Sequence, residues 1–181
     1  MKILRALCKG TTAFLVIAII LLVCCESVSF AANVPVFSVD EVSAMSGKTV
    51  DVDIKVSDNP GFNALKLKVE YDNTVLKLKT ATSIGVAQNM MFTTSQSSDT
   101  TPYVLVWASA SNVTGDGKIA TLTFEVVKDT TAPNTAIDLQ CDFCSDQNGK
   151  NLGAKITPGK VTIMNNSAVS VQTPAIENPD Y

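Results

Sequence analysis

Hydrophobic and polar residues alternate most regularly in residues 61–78, which read GFNALKLKVEYDNTVLKL. One set of alternate positions is apolar: Leu65, Leu67, Val69 and Tyr71. The set between them is mostly charged: Ala64, Lys66, Lys68 and Glu70. Because successive side chains of a β-strand point to opposite faces, this pattern predicts a strand with one buried face and one solvent-facing face. A turn at residues 72–74 leads to a second strand at 75–80, which we expect to be its partner.

Similar short runs recur along most of the chain, separated by turn residues such as Asp58-Asn59-Pro60-Gly61. They predict about nine strands, at residues 34–45, 50–56, 64–71, 75–80, 89–95, 102–109, 119–127, 135–143 and 160–164. No stretch of useful length has a helical period. We therefore predict an all-β fold, a nine-stranded β-sandwich with jelly-roll topology.

The first 31 residues do not fit this pattern. Lys2, Arg5 and Lys9 precede an unbroken apolar run at 13–25, and Ser29-Phe30-Ala31 follows with small residues at the positions that signal peptidase reads. These features predict a secretory signal peptide at 1–31, cleaved after Ala31 or Ala32. A retained membrane anchor is the alternative, although the run is shorter than the ~20 residues of a membrane span. Lipidation at Cys24 or Cys25 is a third reading, which the large Val23 before Cys24 disfavours.

The remaining residues divide into one domain at 32–164 and a tail at 165–181. The tail is rich in Asn, Ser, Pro and Gln without alternation, and we expect it to be disordered. Without the predicted signal peptide the chain keeps 11 of its 14 basic and 16 of its 17 acidic residues, a net charge of −5. Such a balance opposes nucleic-acid binding, which needs a basic surface.

Two cysteines remain after the signal peptide, in the run CDFC at 141–144. This spacing is known from metal and redox sites, but the chain has no His and no further Cys outside the signal to complete a zinc site. Three residues of extended strand span roughly 10 Å, beyond the ~7 Å limit for a disulfide, so a disulfide would require a turn. We expect Ile137, Leu139, Cys141 and Phe143 to form the buried side of a strand, with Cys144 at its end.

Candidate catalytic groups are few. The absence of His excludes a Ser-His-Asp triad and most catalytic metal centres. Asp51 and Asp53 lie on one face of a predicted strand, as a catalytic carboxylate pair would, but solvent-facing strand positions commonly look the same. Residues 146–149, DQNG, resemble a calcium loop only faintly, because the glycine comes too early and no terminal Glu follows. The sequence therefore predicts that the protein is not an enzyme.

Four segments, in order, resemble a cohesin domain, the receptor module of the cellulosome. They are the opening VPVFSVDEVSAMSGKTVDVDIKV, the central GFNALKLKVEYDNTVLKL, the later GKIATLTFEVV and the closing ITPGKVTI. The resemblance covers residues 34–164. The central strand begins Asn-Ala-Leu-Lys where the best-known type has Asn and Asp on its solvent-facing side, and the turn after Trp107 is shorter. These departures concern partner specificity.

The resemblance implies a nine-stranded jelly roll that performs no reaction. One flat sheet face would bind a dockerin, a small helical module with calcium in EF-hand-like loops, carried by polysaccharide-degrading enzymes or by scaffoldins. The chain itself would need no cofactor, because the calcium belongs to the dockerin. The protein would be secreted or held at the surface of a bacterial cell, with no nucleic-acid partner and no membrane contact beyond a signal or lipid anchor.

Ten residues are candidates for the dockerin-binding face. Carried over from the family, they are Ala64, Lys66, Lys68, Thr93, Ser95, Val106, Ala108, Ser109, Asn112 and Leu152. We expect Leu105 and Trp107 to face the core, so that Val106 and Ala108 face outward. Small apolar residues with a lysine rim suit a helix laid across the sheet. On composition alone, ordinary solvated residues are the better interpretation of Lys66 and Lys68, and only the resemblance favours a role in binding.

Other functions remain open from the sequence. A carbohydrate-binding module on a related jelly roll is the main alternative, but such modules usually expose a row of aromatic side chains, and few are available here. A structural stalk of immunoglobulin type would have no helical partner.

Overall fold

The computed structural model describes residues 33–94, 101–128 and 130–164. The predicted signal peptide, the predicted tail and Ser95 lie outside the described residues. Eleven strands are present in the described part, with one short 3-10 helix at Gly85–Ala87. In chain order the strands are β1 Val36–Val39, β2 Glu41–Met45, β3 Thr49–Ser57, β4 Phe62–Tyr71, β5 Leu76–Ser83, β6 Met91–Thr94, β7 Tyr103–Val113, β8 Gly117–Val126, β9 Asn134–Ser145, β10 Lys155–Thr157 and β11 Gly159–Met164.

The strands form two sheets. The smaller sheet has the order β10-β1-β3-β8-β5, and the larger has the order β2-β11-β9-β4-β7-β6. Most connections cross from one sheet to the other, as in a jelly roll, so neighbours in sequence are rarely neighbours in a sheet. The all-β sandwich prediction is confirmed. No helix within the described residues is long and apolar enough to cross a membrane.

The opening region, predicted as one strand at 34–45, divides at Asp40 into two strands in different sheets. β1 pairs with β3 and β10, whereas β2 runs parallel to β11. The Asp40 N–H donates to the carbonyl of Asp53, and the Lys55 ammonium lies 2.6 Å from the Asp40 carboxylate. This division and the short β10, which was not predicted, account for eleven strands instead of nine.

The predicted pairing of residues 64–71 with 75–80 is wrong. β4 pairs with β7 and β9, while β5 crosses to the other sheet and pairs with β8. The turn between them is tight because Asp72 accepts hydrogen bonds from the Thr74 N–H at 2.8 Å and the Thr74 hydroxyl at 2.6 Å. Its backbone carbonyl also accepts from the N–H of Leu76. The turn therefore redirects the chain across the sandwich instead of closing a hairpin.

The core lies between the two sheets, and β4 contributes to it as predicted. Leu65, Leu67 and Val69 are completely buried, and Tyr71 is nearly so. Trp107 and Leu105 of β7 are also completely buried, as expected. The regular alternation of β4 therefore leaves Ala64, Lys66 and Lys68 on the outer face of the larger sheet.

The predicted orientation of Phe143 is wrong because β9 contains a β-bulge. Leu67 is paired with Cys141 and Lys66 with Phe143, so Asp142 is an extra residue without a partner on β4. Such an extra residue reverses the alternation that follows it. Phe143 consequently points outward and is 41% exposed, whereas Cys144 enters the core.

Candidate docking surface

Strand pairing brings six of the ten predicted residues onto one surface. We define the outer face as the outward side chains of β9, β4, β7 and β6. Lys66 lies opposite Val106, which lies opposite Thr93, and Ala64 lies opposite Ala108. Lys68 occupies the next outward position of β4. Sequence segments 64–68, 93 and 106–108 thus form one continuous surface.

The other predicted residues lie at one end of this surface or outside the described chain. Ser109 and Asn112 fall in an irregular part of β7, where the pairing with β4 shifts between Phe62 and Ala64. The Asn112 side chain accepts from the Gln147 N–H at 2.7 Å and is therefore held by the loop after β9. Leu152, in that loop, packs partly against the core. Ser95 lies outside the described residues.

The centre of the outer face contains two lysines joined through one carboxylate. The ammonium groups of Lys66 and Lys68 each lie 2.9 Å from an oxygen of Asp142. Hydrogen bonds from the two lysines, with that from Lys68 the larger contribution, lower the pKa of Asp142. The side chains of Lys66 and Lys68 remain 33% and 31% exposed, so about a third of each stays accessible to solvent. Ion pairs at a protein surface contribute little to stability, so the main effect of these two pairs is to orient the lysine side chains.

Three residues of this surface were missed from the sequence: Met91, Asp142 and Phe143. Met91 lies opposite Ala108 and is 77% exposed, which places a large apolar side chain at the β6 edge. Alternation with Thr93 would have found it. Asp142 and Phe143 were missed because regular alternation was assumed through β9. The adjacent apolar pair Phe143 and Cys144 was the available sign of a bulge.

The end of the outer face farther from Met91 is acidic. Glu70 pairs with Asp138 across β4 and β9, and the Gln140 amide donates to Glu70 at 3.1 Å. An open cleft of about 570 Å³ adjoins this end and is lined by Glu70, Asp72 and Asp138 among others. The outer face therefore changes from apolar through cationic to acidic along the direction of β4.

The carboxylates considered as a catalytic pair lie on the opposite sheet. Asp53 accepts from the Thr121 hydroxyl at 2.6 Å, and Asp51 accepts from the Thr123 hydroxyl at the same distance. Burial raises the pKa of Asp53, but hydrogen bonds from Lys118 and Thr121 outweigh it, and the pKa is lowered. Each carboxylate is thus engaged by a neighbouring strand, an arrangement typical of a structural surface.

The two cysteines of β9 are free thiols. Cys144 is buried in the core and Cys141 packs against it. Burial raises the pKa of Cys141 to about 11 and that of Cys144 to about 12. Both therefore remain protonated at neutral pH and are poor nucleophiles and metal ligands. Within the described ranges, no cluster of three or more His, Cys, Asp or Glu residues could hold a metal ion.

The loop that resembled a calcium site is closed by its own hydrogen bonds. The Asp146 carboxylate accepts from the N–H groups of Asn148 and Lys150, both at 2.9 Å. This arrangement is an Asx-type turn, in which the carboxylate stabilises the loop through backbone N–H groups. The closed loop places the Gln147 N–H where it donates to the Asn112 side chain.

Comparison with known proteins gives a family match and several similar structures. A family model described as "Cohesin domain" matches residues 35–170. The OlpA cohesin of Clostridium thermocellum, solved in complex with Doc918, has 19% identity and a TM-score of 0.67, with 73% of this chain and 100% of that chain covered. The curated proteins include no match to this chain.

Two further structures show the same fold. A non-cellulosomal cohesin from the archaeon Archaeoglobus fulgidus has 20% identity and a TM-score of 0.64, with 72% of this chain and 91% of that chain covered. The sixth cohesin of scaffoldin B from Acetivibrio cellulolyticus, solved with a mutant Cel5 dockerin, also has 20% identity and a TM-score of 0.64, covering 72% and 99%.

Proposed function

Since the chain belongs to the cohesin-domain family through residues 35–170, we propose that it is a non-catalytic receptor that binds a dockerin module on the outer face. The observation that supports this most directly is the face itself, a four-stranded surface that the described part of the chain leaves accessible. The OlpA cohesin and the scaffoldin B cohesin were both solved with dockerins, which favours the same kind of partner here.

The side chains of the outer face suit a helix laid across the strands. Ala64, Ala108 and Val106 are small enough to allow close approach of a helix, while Phe143 and Met91 provide larger apolar contacts at two edges. Lys66 and Lys68 add polar contacts between these edges. Aromatic and Met side chains are enriched in protein–protein interfaces, where polar groups accompany the apolar contacts.

Binding of purified calcium-loaded dockerins, measured by isothermal titration calorimetry, tests this proposal. The charge-reversed variant Lys66→Glu/Lys68→Glu is expected to lose more than ~1 kcal/mol of binding free energy if these residues belong to the interface. The matched control is Lys48→Glu/Lys155→Glu, which makes the same change in net charge at exposed positions outside the outer face. Equal losses in the two variants would remove Lys66 and Lys68 from the interface.

We expect the calcium of the complex to belong to the dockerin. EDTA should therefore abolish binding while leaving the Tm of the isolated receptor unchanged, because EF-hand-like loops lose their structure without calcium. A fall in the Tm of the receptor in EDTA would contradict this assignment.

We further propose that the receptor is secreted or displayed at the bacterial cell surface, where it recruits dockerin-bearing polysaccharide-degrading enzymes or scaffoldins into an extracellular complex. The signal-like segment at 1–31 supports export. Mass spectrometry of the exported protein should find a mature N-terminus at residue 32 or 33. Recovery of the uncleaved chain in the membrane fraction would instead favour the anchor.

The carbohydrate-binding alternative has less support from the surface. Tyr71, Tyr103 and Trp107 are buried, and Phe143 is the one aromatic among the exposed large hydrophobic residues of the described chain. A glycan-binding sheet would normally present several such rings. Retention on cellulose or another polysaccharide without any protein partner would favour this alternative.

A further inference from the structure

The charge at the centre of the outer face differs from that of the chain as a whole. The full chain has a net charge of −3, with 14 basic and 17 acidic residues. In the centre of the outer face, Lys66 and Lys68 share the single carboxylate of Asp142. This group of three side chains therefore carries a net charge of +1 on an acidic protein.

The Asp142 carboxylate leaves the lysines able to bind a further acceptor. Each ammonium group has three N–H donors, and each contacts one oxygen of Asp142. The two lysines lie two residues apart on one strand, so their α-carbons are about 7 Å apart. Their shared contact with Asp142 keeps both ammonium groups together, which lowers the entropy cost of binding a new anion between or above them.

Apolar side chains lie on both sides of Lys66. Phe143 lies beside Lys66 on β9, Val106 lies on its other side on β7, and Met91 lies at the β6 edge. Exclusion of water by apolar contacts strengthens an ion pair relative to the same pair in open solvent. A carboxylate brought to the lysines by a helix packed on Phe143 and Met91 would therefore bind more strongly than a free anion.

On the basis of the proposed function, we propose that the outer face selects a dockerin whose sheet-facing helix carries a carboxylate opposite Lys66 and Lys68, flanked by apolar side chains that pack on Phe143 and Met91. The partner is thus acidic at the point of recognition. The lysine pair determines specificity, and the apolar residues supply most of the buried area. Asp142 is a positioning residue that holds the two ammonium groups.

The test uses a matched pair of dockerins. The tightest binder is taken from a panel that includes Doc918 and the Cel5 dockerin, and each exposed helix position is replaced in turn by Glu and by Lys. We expect one position at which the Glu form binds the unaltered receptor at least about tenfold more tightly than the Lys form, about 1.4 kcal/mol. In the Lys66→Glu/Lys68→Glu receptor this preference should reverse, and in the Lys48→Glu/Lys155→Glu control it should persist.

A second variant tests the sign of the charge effect. Asp142→Asn keeps a side-chain oxygen that can accept from the lysines and raises the net charge of the group to +2, so it should increase the preference for the Glu form and steepen the salt dependence of binding. Its control is Asp51→Asn, the same charge change on the opposite sheet. A preference of the unaltered receptor for the Lys form that is lost in Asp142→Asn would identify Asp142 as the recognition group and overturn the proposal.

The two proposals fail in different ways. Equal binding of the Glu and Lys forms at every helix position would overturn the acidic-partner proposal while dockerin binding itself stands. Binding of no dockerin in the panel would overturn the proposed function and the acidic-partner proposal with it.

Discussion

At the scale of single residues, Gly159 shows how little space the strand crossing allows. A Cβ at this position would lie 2.5 Å from the Asp40 carbonyl oxygen and 2.8 Å from the Val39 Cβ. These atoms belong to the point where the chain passes from β1 to β2. Glycine is therefore required by the approach of two backbones, because the Asp40 carbonyl has no freedom to move aside.

Gly159→Ala should lower the free energy of unfolding by about 3 kcal/mol, the upper end for overpacked sites. The control is Gly149→Ala, where the Cβ would meet nothing within 4 Å and only the positive φ of 75° opposes the substitution. That variant should lose about 1 kcal/mol. Urea unfolding of both variants checks the prediction, and equal losses would show that steric contact at Asp40 is unimportant.

Asp53 should contribute to the pH dependence of stability. Its pKa is lowered in the folded protein, so the folded state binds a proton less readily than the unfolded chain. The stabilisation is therefore present above the unfolded pKa of about 4 and is lost as the pH falls through the lower, folded value. Asp53→Asn should be less stable than the unaltered protein at pH 7, and the difference should shrink in acid.

Urea midpoints between pH 7 and pH 2 measure this convergence. Lys118→Met removes the ammonium that bonds to Asp53 and should reduce the same pH-dependent contribution. A constant difference between Asp53→Asn and the unaltered protein across the whole pH range would contradict the prediction.

At the scale of elements, a hydrogen-bonded chain joins the two sheets through the core. The indole N–H of Trp107, in β7, donates to the Ser83 hydroxyl of β5 at 3.0 Å, and that hydroxyl donates to the Ala87 carbonyl at 2.9 Å. Trp107 is completely buried, so its N–H depends on this partner. The short 3-10 helix is thereby attached to both sheets.

Ser83→Ala should cost about 1–3 kcal/mol of unfolding free energy, because it leaves the buried indole N–H without its acceptor. Ser43→Ala, at an exposed position of β2, is the control and should change stability by less than about 0.5 kcal/mol. Thermal or urea unfolding followed by tryptophan fluorescence checks both. Similar stability of the two variants would mean that water replaces the hydroxyl.

The bulge in β9 decides which side chains the outer face presents beside Lys66. Without the bulge, regular alternation from Leu139 onward would place Asp142 outward and Phe143 in the core. With it, Phe143 turns outward beside Lys66, and the Asp142 carboxylate reaches both lysines. The bulge in β9 therefore places an exposed aromatic ring beside the lysines of β4, next to the carboxylate that binds them.

At the scale of the whole molecule, the two ends of the described chain close the sandwich together. β1 runs parallel to β10 in one sheet, and β2 runs parallel to β11 in the other. β1 also carries Phe37, which is completely buried and packs edge-on against Phe62 with ring centroids 6.1 Å apart. The opening residues are thus part of the core, although they come first in the domain.

Phe37→Ala should lower the free energy of unfolding by about 3–5 kcal/mol, the range for a buried aromatic side chain. Phe143→Ala removes the same atoms from a side chain that is 41% exposed and should cost less than about 1 kcal/mol. Urea unfolding compares the two variants. A small loss in Phe37→Ala would show that the opening strand is dispensable for the core.

Much of the fold follows from local pattern. The alternation of β4 was predicted correctly, as were the strand regions of β3 and β8 and the buried positions of Leu67, Leu105 and Trp107. All ten candidate residues were predicted on a common face, and six of them lie together on the outer face of the larger sheet. The errors concern the partner of β4, the division of the opening strand at Asp40 and the direction of Phe143.

The sequence by itself determined which residues form strands and, where alternation is regular, which side chains face the core, because these properties depend on neighbours one or two residues away. Only the tertiary structure decided which strands pair, where the chain changes sheets and where an extra residue interrupts a strand. The contact of Asp142 with Lys66 and Lys68 joins residues more than 70 positions apart. It exists because β4 and β9 pair in a register that is selected by packing of the whole sandwich and has no local signature.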